Sequence, residues 1–244
     1  MAAWLTRAMD KAEVYKTLNA AYFSDAPHEA EVMAHLPALL GRVAVAVDAG
    51  ASLGQYTRAL NRLLDGAEIH AFEPDPMRYE ELARNCEEWQ RGSRNRVIPH
   101  RVALGNESRD GGFFVTNTNV SGGLNRRDVD SDVEWEEIRV QVATLDELFQ
   151  DRPPDFVKVD VEGAELALLE GAERSLAERA VFLIETHGDP SPVHALMRRH
   201  GYLSVGFYGR VVFVKDRWLW LKLKVLAATD LRRVRERVRA RVMA

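Results

Sequence analysis

The sequence predicts an α/β domain of the doubly wound type, with helices on both faces of a mostly parallel sheet. Short apolar runs alternate along the chain with amphipathic segments of helical length. The run at 42–48 is apolar and rich in β-branched residues, which is typical of a strand buried on both faces of a parallel sheet. With 244 residues, of which 46% are hydrophobic and 29% are charged, the chain can form the core of one large domain.

The first half of the chain contains three predicted strands separated by two helices. The strands are expected at 42–48, 67–75 and 95–104, and the helices at 52–64 and 77–90. This order and spacing indicate right-handed crossovers between parallel strands. Pro99 predicts a bend or a sheet edge in the third strand, because proline cannot donate a hydrogen bond to a neighbouring strand.

The second half returns to the same alternation after an interruption. Residues 105–142 predict an insertion, a hairpin with a long Gly/Asn/Ser-rich connection, on the open side of the sheet. Strands then follow at 155–160 and 179–187, and helices at 163–176 and 191–201. Two β-like runs within 202–216 predict an antiparallel hairpin that closes the sheet.

The chain divides into three predicted segments with different charge. These are an N-terminal helical segment (1–41), the domain with its insertion (42–216) and a basic C-terminal helix (217–244). The last segment has a net charge of +7 and the rest of the chain −11, which argues against a nucleic-acid groove across the domain. The C-terminal helix, with Leu231, Val234, Val238 and Val242 on one stripe, is expected to contact an anionic membrane surface or an acidic partner. The alternative is that this stripe packs on the domain.

Several protein classes are excluded by composition. Cys86 is the single cysteine, so an intramolecular disulfide framework and a cysteine-based zinc cluster are ruled out. No apolar run approaches the roughly 18 residues that span a bilayer. The N-terminus lacks the apolar core and cleavage site of a signal peptide. We therefore expect a cytoplasmic location, peripheral at a membrane surface if the C-terminal helix binds one.

The turn after the first strand and the end of the second predict a nucleoside-containing ligand. Gly50 allows a tight turn and Gly54 a close helix start, which would leave backbone N–H groups free for a carboxylate or phosphate. Their G-x-x-x-G spacing differs from the G-x-G-x-x-G of dinucleotide binders. Glu73, 23 residues after Gly50, can accept hydrogen bonds from ribose hydroxyls. The alternative interpretation is that Glu73 caps the next helix.

A second group of acids lies at the end of the predicted fourth strand, where open α/β sheets bind their ligands. Asp160 and Glu162 are two residues apart and are followed by Gly163. An alternative is that Glu162 and Glu165 only stabilise the start of the following helix.

These motifs together resemble the FkbM family of S-adenosylmethionine-dependent methyltransferases. The resemblance rests on VDAGASLGQY, AFEPDP, RVALGN, ATLDEL, VKVDVEGAELALLEGAE and IETHG, in this order over about residues 43–205. It implies a Rossmann-like class I methyltransferase fold with a seven-stranded, mostly parallel sheet and a reversed last strand. It also implies O-methylation of a hydroxyl on a small-molecule natural product, a glycan or a glycolipid.

The resemblance implies S-adenosylmethionine as the cofactor and assigns residues to it. The expected contacts are Asp48, Gly50 and Gly54 at the methionine portion, Gln55 and Tyr56 in the helix beneath it, Glu73 at the ribose, Pro74 and Asp75 around the adenosine, Val102 and Ala103 near the adenine, and Asp160 beside the amino group or the sulfonium. Ser52 departs from the family pattern, in which Asn is common at this position.

Methyl transfer to a hydroxyl needs a group that removes its proton. Glu162, Glu185 and His187 are the candidate bases beside Asp160, and an ordinary histidine pKa suits this task. His187 could equally be a hydrogen-bonded structural histidine.

Asp160 with Glu185 could hold Mg²⁺, although no ligand pattern requires a metal. Residues of the insertion, namely Asn117, Asn119, Ser121, Gly122 and Gly123, are expected to line or cover the acceptor site, unless they form a disordered surface loop.

Two other functions fit the same fold class. An NAD(P)-linked oxidoreductase or epimerase would need G-x-G-x-x-G, and its short-chain type a Tyr-x-x-x-Lys pair; the sequence has neither. A non-catalytic module with a methyltransferase-like fold could use the C-terminal segment as an anchor, but the cofactor turn and Glu73 argue against it.

Overall fold

A computed structural model describes residues 40–116, 122–123, 135–207 and 210–228. The predicted helical segment before residue 40 lies outside these ranges. So do Asn117, Asn119 and Ser121 of the expected acceptor site, and the stripe from Leu231 to Val242.

Eleven strands are found in the described part of the chain. They are β1 (Val45–Ala49), β2 (Glu68–Phe72), β3 (Arg96–His100), β4 (Ala103–Leu104), β5 (Arg109–Thr116), β6 (Gly122–Gly123), β7 (Trp135–Ala143), β8 (Phe156–Val159), β9 (Val181–Glu185), β10 (Leu203–Phe207) and β11 (Arg210–Val214). Seven of them form the central sheet, in the spatial order β10-β11-β9-β8-β1-β2-β3. The strands from β3 to β9 in this order are parallel, whereas β11 is antiparallel to both β9 and β10. This confirms the predicted fold class with its reversed last strand.

Helices cover both faces of the central sheet. They are α1 (Gln55–Leu63), α2 (Pro76–Gln90), α3 (Leu145–Leu148), α4 (Glu165–Glu170), α5 (Glu173–Ala177) and α6 (Ser191–Arg199). Neighbouring residues of β1 belong to different cores, because successive side chains of a strand point to opposite faces. Ala46 packs with residues of α1 and α2, and Val45 and Val47 pack with residues of α4 to α6. The sheet is therefore buried on both sides.

The segment 163–176, predicted as one helix, forms the two short helices α4 and α5. Gly171 lies between them, and a Cβ on it would come within 2.1 Å of the Gly105 carbonyl oxygen. The Gly171 carbonyl accepts a hydrogen bond from the Asp146 N–H (3.0 Å), and the Asp146 carboxylate accepts one from the Arg174 N–H (2.8 Å). Contacts with distant segments thus end one helix and begin the next.

The insertion contributes most of a second sheet, in the order β4-β7-β5-β6. Strands β5 and β7 form its antiparallel hairpin, from Arg109 opposite Val142 to Thr116 opposite Trp135. The strand predicted at 95–104 is divided, because the chain leaves the central sheet after His100 and pairs β4 with β7. Strand β3, which contains Pro99, is an edge strand, in agreement with the prediction.

Residues 217–228 are helical and their first turns pack on the domain. Leu223 is buried in the core beside α1 and α2, and Leu219, Trp220 and Leu226 pack against the same core. Nε1 of Trp220 donates a hydrogen bond to the Ser204 carbonyl at 3.1 Å. The beginning of the basic C-terminal segment is therefore part of the domain. Within the described ranges, no helix has both the length and the apolar composition of a transmembrane span.

Candidate functional site

The parallel strands bring the predicted site residues to one edge of the central sheet. Asp48 lies in β1, Glu73 follows β2, and Asp160 follows β8. Glu185 ends β9, and His187 follows two residues later. Because these strands run in the same direction, their carboxyl ends meet where open α/β sheets bind ligands.

A buried lysine holds two of the strand ends together. Nζ of Lys158, in β8, lies 2.9 Å from the Gly50 carbonyl oxygen, 3.2 Å from Oδ1 of Asp48 and 3.6 Å from Oδ2 of Asp160. It also lies 4.8 Å from the ring centroid of Tyr56. Burial alone would lower the pKa of Lys158, but the two carboxylates outweigh burial and raise it. Lys158 is therefore a buried cation. The sequence signal for this role is a lysine within the otherwise apolar run FVKV, and its function depends on partners that the run itself does not contain.

Asp48 is fully buried, and its carboxylate contacts other side chains of the protein. Besides contacting Lys158, it accepts a hydrogen bond from Oγ1 of Thr57 in α1 at 2.7 Å. Its predicted part in holding the methionine portion of the cofactor would therefore be indirect, through the position of Lys158 and α1.

The glycine turn after β1 touches the segment after β8. Gly50 and Gly54 have φ angles of 72° and 94°, and Ser52 between them has 49°. A Cβ on Gly50 would lie 1.8 Å from the Asp160 carbonyl oxygen, so glycine is required at this contact. The position of Asp160 thus depends directly on the turn.

The N–H groups of this turn are bonded within the protein. Those of Gly50 and Ala51 donate to the Phe72 carbonyl at 3.1 and 2.9 Å. That of Ser52 donates to Oε2 of Glu73 at 2.8 Å. The prediction that the turn leaves free N–H groups for a ligand is wrong for these three, because the end of β2 accepts them.

Glu73 is buried at the end of β2, and both of its oxygens accept backbone hydrogen bonds. Oε2 accepts from Ser52 and Oε1 accepts from the Asp75 N–H at 3.0 Å. Burial raises the pKa of Glu73, although these two hydrogen bonds oppose the rise. The helix cap is Asp75, which accepts from the Met77 and Arg78 N–H groups, so the capping interpretation of Glu73 is wrong. Binding of a ribose by Glu73 stays a prediction.

The remaining predicted cofactor residues lie near this turn and at the start of the second sheet. Gln55 and Tyr56 begin α1, with Gln55 exposed and Tyr56 buried. Pro74 is buried, Val102 is half-buried, and Ala103 is buried in β4. Their contacts with a cofactor also stay predictions.

Asp160, Glu162 and His187 form a cluster at the ends of β8 and β9. One polar atom of each lies within 4.8 Å of the other two. Nε2 of His187 is 3.4 Å from Oε2 of Glu162, and Nδ1 is 3.0 Å from Oε1 of Glu165. The buried Glu165 is itself fixed, because the same oxygen accepts the Gly163 N–H at 2.9 Å. The histidine ring is therefore held from one side by Glu165 and faces Glu162 on the other.

The carboxylates around His187 raise the pKa of its ring. The hydrogen bond to Glu165 raises the pKa of His187 to about 9, against the effect of burial, and Glu162 and Asp160 add to the rise. The ring is then mainly protonated at neutral pH, so the expectation of an ordinary pKa is wrong. The part of His187 as the base stays a prediction, and its contact with Glu165 fits the alternative of a hydrogen-bonded structural histidine. Burial raises the pKa of Glu162. Glu162 is therefore the better base of the two.

Glu185 is not part of this cluster. Its carboxylate forms an ion pair with Arg210, which lies opposite it on the neighbouring strand β11. A carboxylate that is stabilised by a guanidinium is a weaker proton acceptor. The structure thus brings Glu162 into the cluster and pairs Glu185 with Arg210, and the choice between them as the base stays a prediction.

The chain is similar to several proteins that are named methyltransferases. Hexuronic acid methyltransferase AglP of Haloferax volcanii is 27% identical over 155 residues, which cover 62% of this chain and 59% of that protein. Methyltransferase 1 of Beauveria bassiana is 26% identical over 179 residues, or 64% of this chain and 71% of that protein. A solved methyltransferase from Geobacter sulfurreducens is 14% identical, with a TM-score of 0.47 and coverage of 83% of this chain and 87% of that chain.

The family comparison covers most of the domain described above. The family model of the methyltransferase FkbM domain matches residues 48–204, from the buried aspartate of β1 to β10. That range includes the glycine turn, Glu73 and the whole Asp160–Glu162–His187 cluster. The chain therefore belongs to the FkbM methyltransferase domain family.

Proposed function

We propose that this protein is an S-adenosylmethionine-dependent methyltransferase that O-methylates a hydroxyl of a natural product, a glycan or a glycolipid. The observation that carries the proposal is the meeting of Asp160, Glu162 and His187 beside the glycine turn, in a chain of the FkbM family. This cluster offers a carboxylate for a positive ligand group and a second carboxylate for a proton.

The charges at the site fit this cofactor better than a dinucleotide. The side chains of Asp160 and Glu162 are 25% and 36% exposed, whereas those of Lys158 and Arg210 are almost covered. The accessible charge is therefore mainly negative. It suits the positive amino and sulfonium groups of S-adenosylmethionine, and it disfavours the pyrophosphate of NAD(P). Glu73 can accept from the ribose hydroxyls, and Asp160 would hold the methionine end.

The residues of the chain have distinct parts in the reaction. When bound, S-adenosylmethionine supplies a methyl group that is already activated by its positive sulfur. Glu162 would accept the proton of the acceptor hydroxyl when its oxygen takes the methyl group, with the carbon–sulfur bond broken and S-adenosylhomocysteine as the leaving group. Its raised pKa makes it a stronger base than an ordinary carboxylate. His187, fixed by Glu165, orients the Glu162 carboxylate. Lys158 fixes Asp160 and the turn, so that much of the rate enhancement comes from positioning.

A sugar is the acceptor class that the comparisons favour. The Haloferax volcanii relative is named a hexuronic acid methyltransferase. This chain spans about three fifths of that protein's length, so its own acceptor needs direct identification.

The experiment is mass spectrometry of host-cell extract incubated with purified protein and methyl-labelled S-adenosylmethionine. We expect a labelled product with the wild-type protein and its loss with Glu162→Gln. Calorimetry should show binding of S-adenosylhomocysteine in preference to NADH. Binding of NADH without S-adenosylhomocysteine would overturn the proposal in favour of an oxidoreductase.

We also propose that the basic C-terminal segment contacts an anionic membrane surface. The helix at 217–228 exposes Trp218 (76%), Leu221 and Val225, while Leu223 is turned into the core. An exposed apolar stripe on a segment of net charge +7 is typical of peripheral membrane binding.

A further inference from the structure

The Asp160–Glu162–His187 cluster has the composition of a metal site as well as of an acid–base site. Its ligand atoms come from two strand ends, with Asp160 and Glu162 after β8 and His187 after β9. All three side chains are about one-quarter to one-third exposed. An ion could therefore reach them from solvent and keep water molecules in its remaining coordination positions.

The orientation of the His187 ring is fixed before any ion arrives, although Nε2 must release its proton when an ion binds, because the raised pKa of His187 keeps the ring protonated at neutral pH. A metal-binding histidine usually donates its second ring N–H to a carboxylate, which fixes the orientation of the ring. In this protein the carboxylate of Glu165 contacts Nδ1 of His187, and the Gly163 N–H donates a hydrogen bond to the same carboxylate. Nε2 is the nitrogen that faces Glu162. Glu165, which is buried and outside the ligand set, thus acts as the supporting carboxylate.

The local charge also favours a cation. Four carboxylates lie within this network: Asp48, Asp160, Glu162 and Glu165. Lys158 and His187 are its only cations among the contacts described above. Lys158 is shared between two of the carboxylates, so a negative excess remains beside His187.

We propose that Asp160, Glu162 and His187 bind one divalent cation of the Mn²⁺ class. Carboxylate oxygens suit Mg²⁺ and Mn²⁺, but an imidazole ligand shifts the preference towards transition metals. The open, solvent-facing arrangement differs from a closed structural zinc site. Glu162 and His187 replace Glu185 in the ligand set that the sequence alone suggested, because Arg210 pairs with Glu185.

The catalytic consequence, unlike the binding of the ion, rests on the proposed function. A divalent cation held by Glu162 would weaken Glu162 as a base and would take over its part, because the cation would polarise a hydroxyl that approaches the methyl donor and favour its deprotonation. Acceptors with a second oxygen next to the reacting hydroxyl could hold the ion with both. The inferred acceptor class is therefore a vicinal diol or a hydroxy acid.

The test is a Mn²⁺ titration of the full-length protein, with free Mn²⁺ measured by its electron paramagnetic resonance signal. We expect one Mn²⁺ per chain, binding at least tenfold more tightly than Mg²⁺ in competition. His187→Ala and Glu162→Gln should each weaken Mn²⁺ binding at least tenfold. His200→Ala is the matched control, because His200 also contacts a carboxylate, Glu173 at 3.6 Å, but lies outside the cluster.

Each variant is also titrated with S-adenosylhomocysteine by calorimetry, which reports whether the fold and the cofactor site remain. Unchanged Mn²⁺ binding in both cluster variants, or no binding by the wild-type protein at millimolar Mn²⁺, would overturn the metal site. Binding of Mn²⁺ without binding of S-adenosylhomocysteine would instead contradict the proposed function and leave the metal site standing.

Discussion

Lys158 connects the turn after β1 to the end of β8 through one ammonium group. Two of its partners, Asp48 and Gly50, lie about 110 residues away in the chain, so its importance depends on contacts that no local pattern contains. Contacts with another element also determine the charge of His187. The sequence placed it near a strand end, but its raised pKa comes from Glu165, on a different element. Positions of single site residues were predictable, whereas their charge states were not.

Removal of the Lys158 charge should destabilise the fold. Lys158→Met leaves the fully buried Asp48 carboxylate without its cation, and such a loss costs about 3 to 5 kcal/mol. Urea denaturation measures the free energy of unfolding, with the exposed Lys222→Met as control. The double variant Lys158→Met/Asp48→Asn should recover part of the loss, because it also removes the buried anion. A loss below about 1 kcal/mol in the single variant would contradict this role.

The close contact between Gly50 and the Asp160 carbonyl can be tested by an alanine substitution, with Gly66 as the matched control position. Both glycines have a left-handed backbone conformation, with φ angles of 72° and 70°, but a Cβ on Gly66 would meet no atom within 4 Å. Gly66→Ala should cost about 1 kcal/mol for the backbone conformation. Gly50→Ala should cost about 1 to 3 kcal/mol more, because the turn or the Asp160 carbonyl must move. It should also weaken S-adenosylhomocysteine binding. Equal effects of the two variants would show that the close contact does not matter.

At the scale of elements, the strands of the central sheet were predictable because apolar runs recur between amphipathic segments. Boundaries that depend on distant contacts were not. The division of 163–176 at Gly171 follows from Gly105 and Asp146, which lie in other elements. The separation of β3 from β4 follows from pairing with β7. Local sequence contains no signal for either contact.

The neighbouring strands β2 and β3 contain two stacked histidines. The rings of His70 and His100 are 5.2 Å apart, with Nδ1 of His70 3.0 Å from Nε2 of His100. His100 also stacks on Phe72, with ring centroids 4.5 Å apart. Burial lowers the pKa of His100 to about 4, and His70 adds to this. Burial also lowers the pKa of His70, although Glu68 opposes it. The folded pair is therefore mainly neutral at neutral pH.

This pair should make stability depend on pH between about 6.5 and 4. As the pH falls through this range, the unfolded chain takes up protons that the folded pair does not, so the free energy of unfolding decreases. His100→Phe should remove on the order of 2 kcal/mol of this decrease, because Phe cannot be protonated. The measurement is urea denaturation of both proteins from pH 7 to pH 4. Parallel profiles for wild type and variant would contradict the assignment.

At the scale of the whole molecule, charge is distributed unevenly along the chain. The C-terminal segment 217–244 has a net charge of +7 against −11 for the remainder. The first turns of this segment pack on the domain, because Leu223 is buried in the core, whereas the predicted stripe from Leu231 to Val242 lies outside the described residues. Amphipathic spacing alone cannot show which apolar stripe meets the domain.

Membrane binding should depend on the residues after the packed turns. We expect the full-length protein to co-sediment with anionic vesicles at low salt and less at high salt, because salt screens the attraction of the arginines. A protein of residues 1–228 keeps Leu223 and the exposed Trp218, so it should stay folded, but it should bind anionic vesicles more weakly because six of the nine basic residues of the segment are missing. Vesicles of neutral lipid are the control. Equal sedimentation of both proteins with anionic vesicles would contradict the proposal.

The place of β11 in the sheet has a consequence for synthesis on the ribosome. Strand β11 lies between β9 and β10, both of which precede it in the chain, and β10 has β11 as its only neighbour in the central sheet described here. Strands β3, β2, β1, β8 and β9 all precede β11 in the chain, so they leave the ribosome before it. The nascent sheet then ends at β9, with an open edge. A chain that stops before residue 210 exposes that edge, which is a template for aggregation. The arrival of β11 is thus the step that covers the edge of β9.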